Sequence, residues 1–513
     1  MSDSPAVMIL KELLDVEKEV ETHISHVLLT KDHVYKIKKK VDFGFLDFSR
    51  LKQRKQYCLM EKELNERFCD GVYEDVLKIA RKEKSFELAP FDNTQNTVEY
   101  VVKMRRIPEG DFFSTRVQNN EISYEEAVRV GKHIGSLFKG INTPEMQAKE
   151  EGDYSVVRFN CEENFQQTEG YKDKFIDPEA FDFIKKKTMA FLDENADLFR
   201  ERAEKGFVKN GHGDLRIEHV FYNGDQIGLI DCIEFNRRFR FNDVMSEIGF
   251  LSTELDQAGR TDLSDGVLEG FFTEYDDEGS RKLLNFYRCY RAYVRAKVTC
   301  FLLAEKGEEW ENFNDVLAQV HELIRLAVVY AVNMDSPKTL VFHGLMASGK
   351  SKNARLFKEI YPVHAVNSDH LRKTLAGMDP EERVYVDYGT EIYTKEHTQR
   401  MYEEMGRIAQ KCRELGRMCI LDGSFSKKAY LEYVLSAGEL DYSLIRFSAP
   451  EDVVQERLRK RLEKKTVSDG REEIYQAQKD SAEDIGSDLD IVTTGDPRDN
   501  ATAVIKFLVS DEA

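Results

Sequence analysis

Apolar and polar residues alternate with period two over His33-Val34-Tyr35-Lys36-Ile37-Lys38, predicting a strand that carries lysines on one face. Leu51 to Phe68 follows helical spacing and contains Glu61 and Glu63. Val220-Phe221-Tyr222 and Gln226 to Ile230 are β-type segments joined by Asn223-Gly224-Asp225, a strong hairpin signal. Further on, Leu340-Val341-Phe342, Ala365-Val366, Met418-Cys419-Ile420-Leu421 and Leu444-Ile445-Arg446-Phe447 are short apolar runs typical of buried strands, with helical patterns between them. Strands alternating with helices predict a parallel α/β/α sheet in this last part. The turn-forming cluster Asn333-Met334-Asp335-Ser336-Pro337 separates the two regimes and predicts domains at residues 1–334 and 337–513.

At 513 residues the chain exceeds what one core normally organises, so two domains agree with its length. A formal net charge of -19 gives no general attraction for nucleic acid or anionic membrane. The eight cysteines, at 58, 69, 161, 232, 289, 300, 412 and 419, form no C-x-x-C pair, and Cys232, Cys300 and Cys419 lie in apolar surroundings. These features predict a reducing, cytoplasmic compartment. The longest apolar run, Leu323 to Val332, is short and interrupted by Arg325, so no membrane span is expected.

Candidate chemistry is densest at Gly344-Leu345-Met346-Ala347-Ser348-Gly349-Lys350-Ser351, which fits G-x-x-x-x-G-K-[ST] between a strand and the helix Lys352 to Ile360. Glycines let backbone N–H groups turn onto phosphate oxygens, Lys350 neutralises the outer phosphates, and the Ser351 hydroxyl can join a Mg²⁺ shell. ATP and Mg²⁺ are the expected cofactors. Asp369 ends the second strand of this part and is the candidate acceptor-side base. Asp422 ends the third and is the candidate Walker-B-type metal carboxylate. Arg457 and Arg461, at i and i+4 on one helix after Pro450, are spaced to reach a γ-phosphate, and Lys464 to Gly470 has the composition of a lid.

The first part carries a second phosphotransfer pattern. Asp214, in His212-Gly213-Asp214-Leu215, precedes the hairpin and Asp231 follows its second strand, so the two carboxylates converge. One carboxylate can orient an acceptor hydroxyl while the other holds a metal against phosphates. A lysine of the strand His33 to Lys38 paired with a helix glutamate, Glu61 or Glu63, would grip the inner phosphates. Asp243 and Glu247 read as buttresses of the Asp214 loop.

These residues resemble the aminoglycoside phosphotransferase and choline kinase branch of the protein-kinase-like fold. Val34 to Lys39, Val41-Asp42-Phe43-Gly44-Phe45-Leu46-Asp47-Phe48 and Ile230-Asp231-Cys232-Ile233-Glu234-Phe235-Asn236 look like a bacterial family that fuses such a domain to a P-loop kinase. The last part resembles the zeta-toxin, chloramphenicol phosphotransferase and polynucleotide kinase group, through Ser368-Asp369 with Arg372-Lys373 and through Arg457, Arg461 and Ser468-Asp469. The resemblance implies a bilobal kinase-like domain followed by a P-loop domain. It also implies that Asp214 is catalytic, Asp231 binds metal, Lys36 and Glu61 hold phosphate, and Val102 to Arg106 borders the hinge.

Two positions depart from that pattern. His219 stands five residues after Asp214, where such folds usually place a metal-binding asparagine, and imidazole is a poor Mg²⁺ ligand. Val16 to Ile24, ahead of Ser25 to Leu29, contains no glycine. The expected activity is ATP-dependent phosphoryl transfer to small-molecule hydroxyls. Its alternatives are a 5′-hydroxyl polynucleotide kinase, disfavoured by the acidic balance, and a nucleotide-gated binding protein with a degenerate N-terminal kinase. Oligomeric state and acceptor identity are not legible.

Overall fold

Six strands make an antiparallel sheet in the first part of the computed structural model, which describes residues 4–44, 46–91, 93–380, 391–463 and 472–511. They are β1 (Lys18–Glu21), β2 (Ser25–Leu29), β3 (His33–Lys38), β4 (Tyr73–Arg81), β5 (Phe86–Pro90) and β6 (Thr97–Arg105), in the order β1-β2-β3-β6-β4-β5. β3 is interior, pairing Val27 with Lys36 on one side and Lys36 with Val102 on the other. Its period of two turns Tyr35 and Ile37 into an apolar layer with Val7, Leu10 and Leu28 and sends Lys36 and Lys38 to the opposite face.

Helix Leu51–Asn65 covers that opposite face, and its buried positions are Arg54, Cys58, Glu61 and Asn65. A helix with so polar an inner face needs charged partners: Arg54 pairs with Glu99 of β6 at 2.8 Å, and Glu61 meets the β3 lysines. The rest of this part is helical around two small ribbons, β7 (Val208–Asn210) with β10 (Phe241–Asp243) and β8 (Val220–Asn223) with β9 (Gln226–Leu229). Buried helix Val244–Gln257 lies beneath them, capped by Asp243, which accepts from the Met245 amide at 2.9 Å. This antiparallel sheet, single packing helix and helical base form a protein-kinase-like fold.

The last part holds a five-stranded parallel sheet of β11 (Lys338–His343), β12 (His364–Asn367), β13 (Cys419–Asp422), β14 (Asp441–Ser448) and β15 (Leu489–Val492), ordered β12-β13-β11-β14-β15. Helices Lys350–Ile360 and Lys395–Glu414 lie in the crossovers, and Pro497–Asp511 follows the last strand. Met401, Met405, Ala409 and Cys412 of the second helix pack on Val341, Cys419, Leu421 and Leu444. This is the expected P-loop α/β/α architecture, with one strand more than the apolar runs predicted.

By contact the chain divides into two compact units. One is Met1–Asn160 with Asn195–Asp276; the other is Cys161–Glu194 with Asp277–Ala513. Helices Glu278–Lys306 and Phe313–Val332 therefore group with the parallel sheet, through contacts such as Asn285 Nδ2 to the carbonyls of Asn333 (2.8 Å) and Gly416 (2.9 Å). Compactness and the turn at 333–337 divide the chain at different places. Among the described residues no helix is long and apolar enough to cross a membrane.

Candidate functional site

In the kinase-like unit the hairpin β8–β9 delivers Asp231 two residues beyond Leu229, in a left-handed conformation with φ 65°. Such a backbone is costly for a residue with a side chain and persists only where the surroundings over-determine it. They do so here. The Asp231 amide donates to the Tyr73 hydroxyl at 3.1 Å and the Cys232 amide to Asn65 Oδ1 at 2.9 Å. The Ile233 amide donates to the His212 carbonyl at 3.0 Å, and the Ile230 amide to the His219 carbonyl at 2.9 Å. The Asp214 loop is fixed from below, where Glu247 Oε1 accepts both the His212 (2.9 Å) and Gly213 (2.8 Å) amides. Asp243 forms a buried ion pair with Arg202 at 2.5 Å. Glu247 thus buttresses the loop, whereas Asp243 holds Arg202 and the start of helix Val244–Gln257.

The sequence-predicted residues meet on that frame. Lys36 Nζ lies 2.9 Å from Glu61 and 2.5 Å from Asp231 Oδ1. Asp214 and Asp231 face each other across His219, whose Nδ1 is 3.8 Å from Asp214 Oδ2 and whose Nε2 is 3.8 Å from Asp231 Oδ2. Burial alone would raise the Asp231 carboxyl, but Lys36 and His219 outweigh it and hold it far below the usual carboxylate range. Burial likewise opposes the charge on Lys36, and Asp231 with Glu61 overcomes it, so the ammonium stays charged well above its ordinary pKa. Sequence reasoning missed the second lysine. Lys38 reaches Glu61 at 2.6 Å and also pairs with Glu234, giving a chain of two ammonium and three carboxylate groups that is buried except at the half-exposed Asp231. The signal was the shared face of positions 36 and 38 and the acid at 234.

In the second unit Gly344, Ala347 and Gly349 have φ of 139°, 62° and 97°, and their turns coil the loop over the start of helix Lys350–Ile360. A Cβ on Gly344 would fall 2.2 Å from the Phe447 carbonyl oxygen, so only glycine fits there. Lys350 Nζ folds back to 3.5 Å from the Leu345 carbonyl. The loop's outer side packs Ala347, with Leu345 and Met346, on Val454, Leu458 and Tyr475. Ser348 is buried, and its carbonyl accepts from the Thr493 hydroxyl at 2.5 Å. The Met346 amide donates to Gln478 Oε1 at 2.8 Å.

Asp422 is buried at the end of β13, accepting from Asn367 Nδ2 at 2.6 Å and from the Ser351 hydroxyl. Burial pushes its carboxyl up, against the pull of Lys350, Ser351 and Asn367. A hydroxyl and a carboxylate thus meet at the loop's helix, an oxygen pair that fits Mg²⁺. Asp369 opens helix Ser368–Leu375 under the cap of Asn367, which accepts from the Asp369 (3.0 Å) and His370 (3.1 Å) amides. Its charge acts on both Asp422 and the Tyr402 phenol.

Arg457, expected at the γ-phosphate, donates from Nη1 to the Ala347 carbonyl (3.0 Å) and to Thr493 Oγ1 (2.9 Å), gripping the loop by its carbonyl side. The side chain of Arg461 and the segment Lys464 to Gly470 expected as a lid, with Ser468 and Asp469, lie outside the described residues.

Residues 340–485 match the family described as an AAA domain. An uncharacterized protein of Mycobacterium tuberculosis is 27% identical over 409 residues, 79% of this chain and 78% of the relative. The Mycobacterium tuberculosis APS kinase solved with AMPPNP and APS is 16% identical with a TM-score of 0.26, over 34% of this chain and 98% of that one. The ethanolamine kinase of Plasmodium vivax is 10% identical with a TM-score of 0.39, over 61% of this chain and 84% of that one. The AAA-domain match spans the parallel sheet from β11 to β14 and the phosphate loop Gly344 to Ser351.

Proposed function

We propose that the chain is an ATP-dependent phosphotransferase with two kinase-type halves, residues 1–334 and 337–513, that act on hydroxyl groups of small molecules in the cytoplasm. The observation that carries this reading is the Lys36 ammonium bridging Glu61 and Asp231, with Asp214 facing Asp231 across one imidazole. Charges are assembled there for phosphate and for an acceptor proton, and nothing in packing alone calls for them. Lys36, oriented by Glu61, takes the inner phosphates, and Asp214 accepts the acceptor proton. In the other half the loop Gly344 to Ser351 cradles phosphate, Lys350 neutralises it, and Asp369 faces the acceptor. Mg²⁺ bound by Ser351 and Asp422 would offset charge on the phosphates during transfer. Eight buried free thiols support a reducing compartment, and the net charge of -19 supports small molecules over nucleic acid as partners.

A γ-labelled ATP screen against sugars, amino alcohols, nucleosides and oligonucleotides tests this reading. Wild type, Lys350→Ala and Asp214→Ala are run side by side. Each variant is expected to lose one class of labelled product and keep the other; equal product from all three proteins refutes the assignment. One observation favours a second reading, nucleotide binding without transfer in the first half: a tight turn without glycine joins β1 to β2, with the Thr22 amide donating to the Ser25 carbonyl and the Ser25 amide to Thr22 Oγ1, both at 2.9 Å. In that case Asp214→Ala changes no product, while nucleotide still protects unit 1 from unfolding.

A further inference from the structure

His219 is built like a metal ligand. Its Nδ1 lies 2.7 Å from the Asp214 backbone carbonyl. A carbonyl oxygen only accepts, so Nδ1 carries a proton, and in the neutral form of the ring the lone pair is on Nε2. A backbone carbonyl holding the far nitrogen is how metal-bound histidines are usually oriented. The ring is nine-tenths buried and stacked on His212 at 5.7 Å, and His212 is itself fixed by a 2.8 Å contact from Nε2 to the Ile230 carbonyl.

Nε2 faces Asp231 Oδ2 at 3.8 Å, and Lys36 contacts the other oxygen, Oδ1, so Oδ2 is the one turned toward the imidazole. Two donors on one ion at about 2.1 Å each stand about 3 Å apart at a right angle and about 4.2 Å apart when opposed. The observed separation lies between these limits. Glu218 Oε1 is also 3.7 Å from Nε2, though Arg216 pairs with it. Among the described residues no group of three or more ligating side chains surrounds this point, so two side chains alone hold an ion weakly and a nucleotide's phosphate oxygens would supply the further ligands.

We propose that the cleft of the kinase-like unit binds a divalent first-row transition ion between His219 Nε2 and Asp231 Oδ2, in preference to Mg²⁺, and only together with a nucleotide. One nitrogen beside carboxylate and phosphate oxygens does not fit Mg²⁺, which wants oxygens in a strict octahedron. Imidazole suits first-row ions such as Fe²⁺, Ni²⁺ and Zn²⁺, and Mn²⁺ stands at the weak end of that series while also taking carboxylate and phosphate oxygens. The inference rests on the reading that this unit takes nucleotide.

The test uses Mn²⁺ as probe on the full chain with AMP-PNP. Free Mn²⁺ is followed by electron paramagnetic resonance, and bound Mn²⁺ by its coupling to nitrogen in electron spin echo spectra. The expected result is a Mn²⁺ site lost in Asp231→Asn, absent without nucleotide, and showing ¹⁴N coupling that becomes ¹⁵N coupling in protein grown on ¹⁵N-histidine. In His219→Asn the coupling disappears and Mg²⁺ displaces Mn²⁺ roughly tenfold more readily. The labelled wild type keeps the test decisive if that variant does not fold. Asp231-dependent Mn²⁺ without nitrogen coupling, or equal Mg²⁺ competition in wild type and His219→Asn, overturns the proposal. No Asp231-dependent Mn²⁺ at all, with the Ser351-dependent site intact, overturns the nucleotide reading of this unit as well.

Discussion

Replacing Glu61 by Gln removes the one carboxylate that both β3 lysines share. Glu61 is fully buried and lies 2.9 Å from Lys36 and 2.6 Å from Lys38. Removing one partner from a buried charge cluster costs about 3–5 kcal/mol, because the opposite charge stays behind in a poorly solvating place. Lys36 keeps Asp231 and Lys38 keeps Glu234, which puts the cost at the low end, about 3 kcal/mol. In a body of roughly 240 residues that is a fall of about 6–12 °C in the Tm of unit 1.

The pH dependence has a definite sign. Burial lifts the Glu61 carboxyl, but Lys36 and Lys38 outweigh it and leave the folded pKa below the ordinary 4.5. Stability from this group is present above about 4.5 and is lost as pH falls through the folded value. The gap between wild type and Glu61→Gln is therefore constant from pH 7 to about 5 and closes under more acid conditions. Thermal unfolding followed by circular dichroism across that range measures it. A Tm shift under about 2 °C, or a gap that widens below pH 4.5, refutes the account of the lysine cluster.

Three further outcomes are expected. Burial and the neighbouring His219 push the His212 ring down to about 4, so the unfolded chain takes up a proton near 6.5 that the native state refuses. Stability should fall by up to roughly 3 kcal/mol between pH 6.5 and 4 in urea titrations, and His212→Gln should lack that slope. Gly344→Ala puts a methyl 2.2 Å from the Phe447 carbonyl and should lower the Tm of unit 2 while leaving unit 1 unchanged, as two resolved calorimetric transitions would show. Arg457→Met releases the Ala347 carbonyl and Thr493, so the KM for ATP should rise about tenfold with kcat less affected. A fall in kcat at constant KM would instead place this arginine on the transferring phosphoryl group.

Much of the architecture was legible because it rests on local pattern. The alternation at His33–Lys38 and the hairpin around Asn223-Gly224-Asp225 appear at the residues read from the sequence, and the phosphate loop sits between β11 and its helix. β15 was not legible: Leu489–Val492 offers a few apolar residues among Asp484, Asp488 and Asp490, and it is a strand because its edge pairs with Ile445 to Ser448 of β14. Lys36 and Lys38 in a lysine-rich strand resemble a solvated edge, and only the placement of β3 between β2 and β6 beneath helix Leu51–Asn65 buries them. Glu234 meets Lys38 across 196 positions, a separation no periodicity reports. The i, i+4 spacing of Arg457 and Arg461 identified a shared helix face; the carbonyl that this face meets at Ala347 depends on how the helix docks.

The central claim is that one chain holds two separate triphosphate sites. Equilibrium dialysis with labelled AMP-PNP counts them directly, on wild type, Lys350→Ala and Lys36→Met. Two nucleotides per wild-type chain, reduced to one in each variant, is the predicted result. A single nucleotide on the wild type, abolished by Lys350→Ala and untouched by Lys36→Met, would contradict it.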